Sequence, residues 1–430
     1  MKSTLPNILA CAHRAWISGG TFRTCRQRYK RYTYGDQWSD PVNWEGTTIP
    51  EREAILRSGR RPMVNNLIRQ LVKSVVGHFR TQSAEMELYS GESIATHATH
   101  NALPELDSRL LEEFLISGCA VQRVVSERRF NGKEVWVDNV DPRTFFVNSF
   151  RDPRGRDIDL IGMLHDMTFP EVVNRFARGS KGRAEMFRRI YDPAATPTGS
   201  ADFFQANGEG VDFYRCADPG RCRVIEIWTL DSRPRRGGVD HDFVWHARFL
   251  APDGTLLGEY DSPYRHRSHP FVIKLYPLTD GEIHSFVEDV IEQQRFINRL
   301  IVQIDHIMSC SAKGVLLFPV DQLVKGATWE DVANKWAQCD SLIPITGNGD
   351  LPQQVVSNTA NNGAYQLLQL ELNLFEKTSG VGDALMGRLS GHQGAELYEN
   401  QVRNATIALA DIFESFLSFI HTRNDKILTT

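Results

Sequence analysis

Two short clusters hold the residue types that could do acid–base or metal chemistry. One comprises Asp240, His241, Asp242 and His246, and the other comprises Asp157 and Asp159. Carboxylates and imidazoles of this kind can hold a divalent metal for phosphodiester hydrolysis. However, the first cluster borders a segment that alternates like a strand, and the chain has no HExxH, HxxEH or repeated HD pattern. Polar side chains on the protein surface explain both clusters better, so we expect no catalytic residues, no metal and no other cofactor.

Other enzyme signatures are also absent from the sequence. There is no GxxxxGK[ST] loop, so the chain is not expected to be an ATP-driven motor. Ser390 and Gly391 lie in GRLSG, which is not the GxSxG turn of a serine hydrolase. The seven cysteines form no CxxC pair, which favours reduced thiols over a zinc site. A metal-dependent phosphodiesterase is therefore a weak alternative, and the chain is predicted not to be an enzyme.

Composition indicates a large folded protein. The 430 residues are 41% hydrophobic and 24% charged, which predicts two or three domains. No apolar run reaches the length of a membrane span. The first residues do not resemble a secretory signal peptide. We therefore expect that the protein assembles in a host cytoplasm and does not associate with a membrane.

The charge of the chain is unevenly placed. Residues 1–35 contain seven basic and no acidic residues, whereas the remainder carries 42 basic against 53 acidic residues. Four aromatic residues, Phe22, Tyr29, Tyr32 and Tyr34, are interspersed with the arginines. Such a basic arm could contact nucleic acid or an acidic neighbouring subunit, and a solvated, partly disordered terminus is equally compatible with it.

The first two-thirds of the chain predicts an α+β body with mainly antiparallel strands. Apolar periodicity and capping residues predict helices at 62–80 and 104–117, and a capping box at Thr168–Glu171 predicts a third helix. Residues 179–220 are rich in Gly, Pro, Ala and Asp and read as a loop or insertion. Alternating segments predict strands at 119–127, 133–140, 222–230, 242–250 and 270–276.

The last third predicts two long helices around a small insert. The first helix, 285–309, carries one apolar stripe formed by Phe286, Val290, Ile297, Ile301, Ile304 and Met308. The insert contains predicted strands at 314–320 and 341–346 and a short helix capped by Thr328. A second helix at 361–378, a glycine-rich segment at 380–394 and a helix at 395–421 follow. Long helices without a catalytic cluster indicate a mechanical role.

This order of parts resembles viral portal proteins, and most closely those of short-tailed bacteriophages, over residues 62–421. RPMVNNLIRQLVKSVVG, FLISGCAVQRV and VDNVDPRTFFVNSFRDP resemble the portal wing. HPFVIKLYPLTDGEIHSFVEDVIEQQRFINRL resembles the approach to the first stem helix, and AKGVLLFP through LIPITGNGD resembles the clip. ELNLFEKTSGVGDALMG and SGHQGAEL resemble the returning stem, the tunnel loop and the next helix.

The resemblance implies a ring-forming portal fold with an α/β wing, long stem helices, a small α/β clip and a glycine-rich tunnel loop. The implied divisions are a basic arm at 1–61, a wing at 62–284, a first stem helix at 285–311, a clip at 312–356, a second stem helix at 357–379, a tunnel loop at 380–394, and a C-terminal wing or short-crown helix at 395–430.

The implied function is a ring at one unique capsid vertex of the virion, through which double-stranded DNA enters and leaves. Such a ring would have twelve subunits, contact DNA without sequence preference, and dock the large terminase, the major capsid and scaffold proteins, and tail or adaptor proteins. The alternative is a ring-forming head–tail adaptor or another DNA-binding structural protein, although adaptors are usually much shorter.

Three groups of residues are candidates for these roles. The tunnel-loop group, expected to face the channel unless the loop is a plain connector, is Met386, Arg388, Leu389, His392 and Gln393. The stem group, expected to form ion pairs between subunits or only i,i+3 and i,i+4 pairs along one helix, is Glu288, Glu292, Arg295 and Arg299. The clip group, expected to anchor partners or to pack the clip core, is Phe318, Trp329 and Trp336.

Overall fold

The computed structural model describes residues 4–85, 92–129, 132–191, 211–218, 220–234, 241–311, 315–337, 343–346, 351–355, 360–381, 407 and 409–430. The chain divides into two units. The first unit comprises residues 1–34, 69–289 and 380–430, and the second unit comprises residues 35–68 and 290–379.

The helices of the described residues are α1 (Leu5–Ser18), α2 (Gly20–Tyr34), α3 (Glu51–Arg57), α4 (Leu67–Glu85), α5 (Glu92–Asn101), α6 (Leu103–Ser117), α7 (Phe169–Val172), α8 (Lys181–Ile190), α9 (Glu288–Ser311), α10 (Trp329–Ala337), α11 (Ala360–Ser379) and α12 (Ala410–Thr429). The strands are β1 (Pro41–Trp44), β2 (Thr47–Pro50), β3 (Cys119–Arg129), β4 (Gly132–Asn139), β5 (Phe145–Val147), β6 (Leu160–Met167), β7 (Cys222–Pro234), β8 (His241–Leu250), β9 (Leu256–Asp261), β10 (Phe271–Leu275), β11 (Pro277–Thr279), β12 (Glu282–Ile283), β13 (Val315–Leu317) and β14 (Gln353–Val355). This mixture confirms the α+β class.

The first unit is built on two antiparallel sheets. The larger has the strand order β5-β6-β7-β8-β9, and the smaller has the order β10-β3-β4. Trp228 and Phe249 are fully buried between the larger sheet and its covering segments, and Phe271 on β10 joins the same apolar cluster. The predicted strands at 119–127, 222–230, 242–250 and 270–276 are all confirmed.

The basic N-terminal segment is folded. Helix α1 buries Ile8 and Ala12 in a core cluster of the first unit, and helix α2 buries Tyr29 and Tyr32. Arg26 is only 5% exposed, and its guanidinium donates hydrogen bonds of 2.6 and 2.7 Å to the carboxylate of Glu113. The alternative of a solvated, partly disordered terminus is therefore wrong for residues 4–34, because apolar burial and internal ion pairs order them.

Helix α6 ends as its sequence predicts. Gly118 adopts φ 70° and its N–H donates to the carbonyl of Phe114, which is a left-handed C-terminal cap. A Cβ at this position would lie 2.7 Å from the side chain of Ile283 and 3.0 Å from the carbonyl oxygen of Tyr276. Glycine is thus required here both by its backbone angle and by the close approach of Tyr276 and of Ile283 on β12.

The prediction of a loop or insertion throughout 179–220 is wrong for residues 181–190, which form α8. The hydroxyl of Ser180 accepts a 3.5 Å hydrogen bond from the N–H of Arg183 and caps the helix. Phe187 is fully buried in the main apolar cluster of the first unit. Neighbouring glycines concealed this helix in the sequence, and the burial of Phe187 stabilises it. The capping box at Thr168–Glu171 is confirmed, and a π-helical turn follows it at Val173–Ala177.

The second unit contains α3, the β1–β2 hairpin, most of α9, and the segment from β13 through α11. The predicted long helices are confirmed as α9 and α11. The predicted strand at 341–346 is wrong over residues 343–346, which have no regular secondary structure. The antiparallel partner of β13 is β14 instead, with Val315 opposite Val355.

The C-terminal helix extends further along the chain than the sequence predicted. Helix α12 runs eight residues past His421, whereas residues 395–406 and 408 of the predicted helix lie outside the described part of the chain. Phe416 and Ile420 are buried as predicted, and Phe419 joins them in the core. The helix continues because Arg423 and Ile427 extend its buried face.

Candidate functional site

The candidate site is the second unit, where α9 is held by residues 35–68 through two amide side chains. The Oε1 atom of Gln294 accepts hydrogen bonds of 2.9 and 3.3 Å from the backbone N–H groups of Leu67 and Ile68. Its Nε2 atom donates to the carbonyl of Asn65 at 2.7 Å. These contacts satisfy the first free N–H groups of α4, which no residue within that helix can bond.

Asn298, one turn further along α9, extends the same network. Its Oδ1 atom accepts from the N–H of Asn65 at 3.1 Å and from Nε2 of Gln294 at 3.1 Å, and its Nδ2 atom donates to Gln37. Gln294 and Asn298 are fully buried, and Gln37 is 1% exposed. A buried amide network with every group satisfied specifies one register between two segments. Residues 35–68 therefore hold α9 in a single position. The hydrogen bonds of Gln294 and Asn298 to these residues form the bracket on α9.

A charged contact lies beside this network. The carboxylate of Glu51, 6% exposed, accepts a 2.7 Å hydrogen bond from Nε of Arg299 and a 3.3 Å hydrogen bond from Arg295. Arg295 also reaches Glu292 at 3.3 Å, the i,i+3 pair that the sequence allows. The two stem arginines are thus engaged within the chain, and their role between subunits stays a prediction.

The two stem glutamates have different surroundings. Glu292 is 68% exposed, whereas Glu288 caps the start of α9. Its carboxylate accepts from the N–H of Ser285 at 3.3 Å, and the hydroxyl of Ser285 accepts from the N–H of Glu288 at 3.1 Å. This reciprocal pair is a capping box, so Glu288 helps to begin the helix. Glu292 is the most exposed of the four stem-group side chains, and its role between subunits stays a prediction.

The clip-group aromatic residues lie between the long helices in sequence. The rings of Phe318 and Trp329 meet edge to face with centroids 6.0 Å apart. Trp329 is 49% exposed, and Phe318 and Trp336 are half-buried. Trp329 therefore contributes both to a local contact and to the surface, and the partner-anchoring role of the three residues stays a prediction.

The returning helix α11 exposes apolar side chains. Leu370 is 52% exposed, and Leu367 and Leu374 on the same face are 38% and 39% exposed. Met308, which the sequence placed on the buried stripe of α9, is 48% exposed, and its sulfur accepts a 3.3 Å hydrogen bond from the hydroxyl of Tyr365. The prediction of a buried Met308 is wrong because the buried part of the stripe ends near Ile304 in this chain.

The tunnel-loop group, Met386, Arg388, Leu389, His392 and Gln393, lies outside the described residues. Its expected channel role stays a prediction.

The two acidic and histidine-containing clusters that were considered as metal ligands in the sequence make contacts within the protein. Asp157 accepts a 2.7 Å hydrogen bond from the backbone N–H of Arg151 and orders a turn. His246 contacts Asp261 at 2.6 Å, and Asp261 also binds the guanidinium of Arg233. Hydrogen bonds from Arg233 and His246 lower the pKa of Asp261 to about 2. Among the residues that the structure describes, no group of three or more His, Cys, Asp or Glu could hold a metal ion.

Sequence reasoning missed Gln37, Glu51, Gln294 and Asn298, which make the buried polar contacts of this site. A signal for two of them was present, because Gln294 and Asn298 are polar residues four apart within the apolar stripe of α9. No pattern in the sequence could link them to Gln37 or Glu51, which lie more than 240 positions away.

Long helices on both sides of a small β-containing insert match the order of parts that the resemblance to portal proteins implied. The family model described as Phage P22-like portal protein matches residues 21–428. The chain therefore belongs to the P22-like phage portal family, whose members are structural rather than catalytic and are located at a capsid vertex of the virion. No curated protein matches the chain. Among the helices described, none is long and apolar enough to cross a membrane.

Proposed function

We propose that this portal protein forms a ring whose channel carries double-stranded DNA into and out of the capsid, and which docks the large terminase, the major capsid and scaffold proteins, and tail or adaptor proteins. The observation that carries this proposal is the second unit, in which helices of 24 and 20 residues flank an insert with its own two-stranded sheet. In the proposed ring, α9 and α11 are the stem helices and the insert is the clip.

The charge of this segment supports a channel through which DNA slides. Residues 290–379 contain nine acidic and six basic residues. DNA affinity comes mainly from basic side chains that neutralise phosphates, so a weakly acidic segment avoids tight adhesion. The bracket on α9 supports the same role, because a stem under load needs helices held in one register.

The apolar face of α11 supports ring formation. Three leucines that are 38–52% exposed on one helix are costly in water, and covering them would remove apolar area from solvent. The same contact repeated between neighbouring copies would form a closed ring if the rotation from one copy to the next divides a full turn evenly.

The first experiment is single-particle electron microscopy of the purified protein, with the subunits counted in end views. Rings with a channel wide enough for duplex DNA are expected, with twelvefold symmetry. If the protein stays monomeric even with capsid and scaffold proteins, the ring is wrong, and short solid rings that bind only tails would favour the adaptor alternative.

The loop proposal is tested by deleting residues 386–393. We expect intact rings that package or retain less DNA, because the proposed role of the loop is to contact DNA in the channel. Loss of ring assembly would instead make the loop an assembly element.

The stem proposal requires a variant that preserves the contact within the chain. Arg299→Glu alone places a second carboxylate against Glu51, whereas Arg299→Glu combined with Glu51→Gln removes this repulsion, because the Gln amide can accept from Arg295 and donate to the new carboxylate. If Arg299 also pairs between subunits, ring yield falls in both variants. Recovery of the rings in the double variant would assign Arg299 to the contact within the chain alone.

A further inference from the structure

A basic surface lies on the first unit at α8 and the turn before it. Residues 175–189 contain six basic residues and a single acidic one, Glu185. Four of the basic side chains are exposed, namely Arg178, Lys181, Arg188 and Arg189, and together they form the α8 patch. This concentration stands out because residues 36–430 carry 53 acidic against 42 basic residues.

The patch is held firmly on the core. Phe187 is fully buried, so the opposite side of α8 faces outward. Arg183 donates a 2.6 Å hydrogen bond to the carbonyl of Leu257 and fixes the first turn of the helix to the edge strand β9. The exposed charges therefore lie on a helix that is fixed to the core and to the edge strand of the first unit.

The charges of the patch are poorly neutralised. Arg188 reaches Glu185 only at 3.9 Å, and both side chains are largely exposed. The side chains of Arg178, Lys181 and Arg189 make no hydrogen bond or ion pair with any residue that the structure describes. In contrast, the buried arginines of this unit, such as Arg26 and Arg423, bind carboxylates. The patch therefore has charge available for an external anion.

A cavity of about 290 Å³ adjoins the patch at Arg178. Arg175 and Arg183 also line it, but Arg175 binds Glu127 at 3.1 Å and Arg183 is held by Leu257. Glu259 lines the cavity as well. Among the three arginines that line this cavity, Arg178 is the one whose guanidinium makes no hydrogen bond or ion pair with a described residue.

We propose that the α8 patch binds the phosphate backbone of double-stranded DNA without reading its sequence. Exposed Lys and Arg side chains on one helix are suited to a polymer that carries one charge per about 1.7 Å of its axis. An acidic protein partner would be expected to bury an apolar centre, but Met186, 39% exposed, is the large apolar side chain that α8 exposes. The observations therefore favour DNA over an acidic protein.

This inference rests on the proposed function only in that double-stranded DNA is the polymer the portal handles. The patch belongs to the first unit, whereas the proposed stem and clip lie in the second. Loss of the patch contact therefore leaves the channel proposal standing.

The test is fluorescence anisotropy of a labelled 30-base-pair duplex with the full-length protein between 50 and 200 mM NaCl. Arg178→Gln, Lys181→Gln and Arg189→Gln are combined in one variant. The matched control changes Arg128, Arg151 and Arg156 to Gln, which removes the same charge from other exposed positions of the first unit whose side chains hold no ion pair with a described residue.

We expect the patch variant to bind at least tenfold more weakly at 50 mM NaCl. The slope of log affinity against log salt should fall by about 2 to 3, since about 0.9 is lost for each phosphate contact. The control should lose much less. Equal losses in both variants, unchanged binding in the patch variant, or no duplex binding by the unaltered protein would each overturn the proposal. Electron microscopy of the same samples reports separately on ring formation.

Discussion

Arg423 on α12 and Asp107 on α6 form a bidentate ion pair, with distances of 3.0 and 2.9 Å, in which neither side chain is exposed to solvent. Gln122 on β3 donates a further 3.1 Å hydrogen bond to the same carboxylate. The pair thereby joins the C-terminal helix to the helix and sheet of the first unit.

Removing one partner of this pair should be strongly destabilising. Arg423→Met leaves the carboxylate of Asp107 buried and unpaired, which costs about 3–5 kcal/mol. The measurement is urea unfolding monitored by circular dichroism. The double variant Arg423→Met with Asp107→Leu should recover most of the loss, because it leaves no buried charge. A single variant as stable as the unaltered protein would show that the pair is dispensable.

Breaking the bracket on α9 should loosen the start of α4. Gln294→Leu removes the acceptor for the N–H groups of Leu67 and Ile68 and is expected to cost about 1–3 kcal/mol. Hydrogen exchange measured by mass spectrometry should show faster exchange in a peptide covering residues 65–68. Gln303→Leu makes the same change at an exposed position of α9 and serves as the control. Equal exchange in both variants would contradict the bracket.

Lys426 should make stability depend on pH. Its Nζ atom donates to the carbonyls of His269 and Phe271 at 2.7 and 2.6 Å, and burial lowers its pKa to about 7 from 10.5. Between pH 7 and 10.5 the unfolded chain binds the extra proton, so stability rises with pH there by at most about 1.4 kcal/mol per pH unit, and below pH 7 this contribution stays flat.

The comparison that isolates this effect uses Lys426→Met, which lacks the titrating group. The difference in unfolding free energy between the unaltered protein and the variant should grow in favour of the former as the pH rises from 7 to 10. A difference that is constant with pH would mean that the ammonium group keeps its ordinary pKa.

Two glycines should respond oppositely to alanine. A Cβ at Gly162 on β6 would lie 2.1 Å from the carbonyl oxygen of Glu226 and 2.6 Å from the ring of Phe146. Gly162→Ala should therefore destabilise the first unit by about 3 kcal/mol. Gly182 on α8 has nothing within 4 Å, so Gly182→Ala should stabilise by about 0.5–1 kcal/mol. Thermal unfolding of both variants checks the pair, and equal midpoints would refute the packing argument.

Elements with strong local signals could be predicted from the sequence. The capping box at Thr168, the terminating Gly118 and the periodicity of α9 and α11 act over four to twenty residues, so they are legible without the fold. Helix α8 was missed because its buried side rests mainly on Phe187, and its glycines masked the pattern.

Contacts between distant segments were not predictable. Gln294 and Asn298 were visible as polar residues in an apolar stripe, but their partners lie more than 220 positions away. Arg295 and Arg299 read as surface charges of one helix, whereas Glu51 engages both of them. A periodic pattern shows which face of a helix is buried but not what is buried against it.

The sequence by itself determined the α+β class, the two long helices around an insert and the portal resemblance, because these depend on local periodicity and on the order of segments along the chain. The tertiary structure alone decided that Glu51 meets the stem arginines, that Arg423 meets Asp107, and that the α8 patch faces outward with unpaired charge. Hydrogen bonds and ion pairs depend on distances of about 3 Å between atoms, and only the folded chain brings residues hundreds of positions apart to that range.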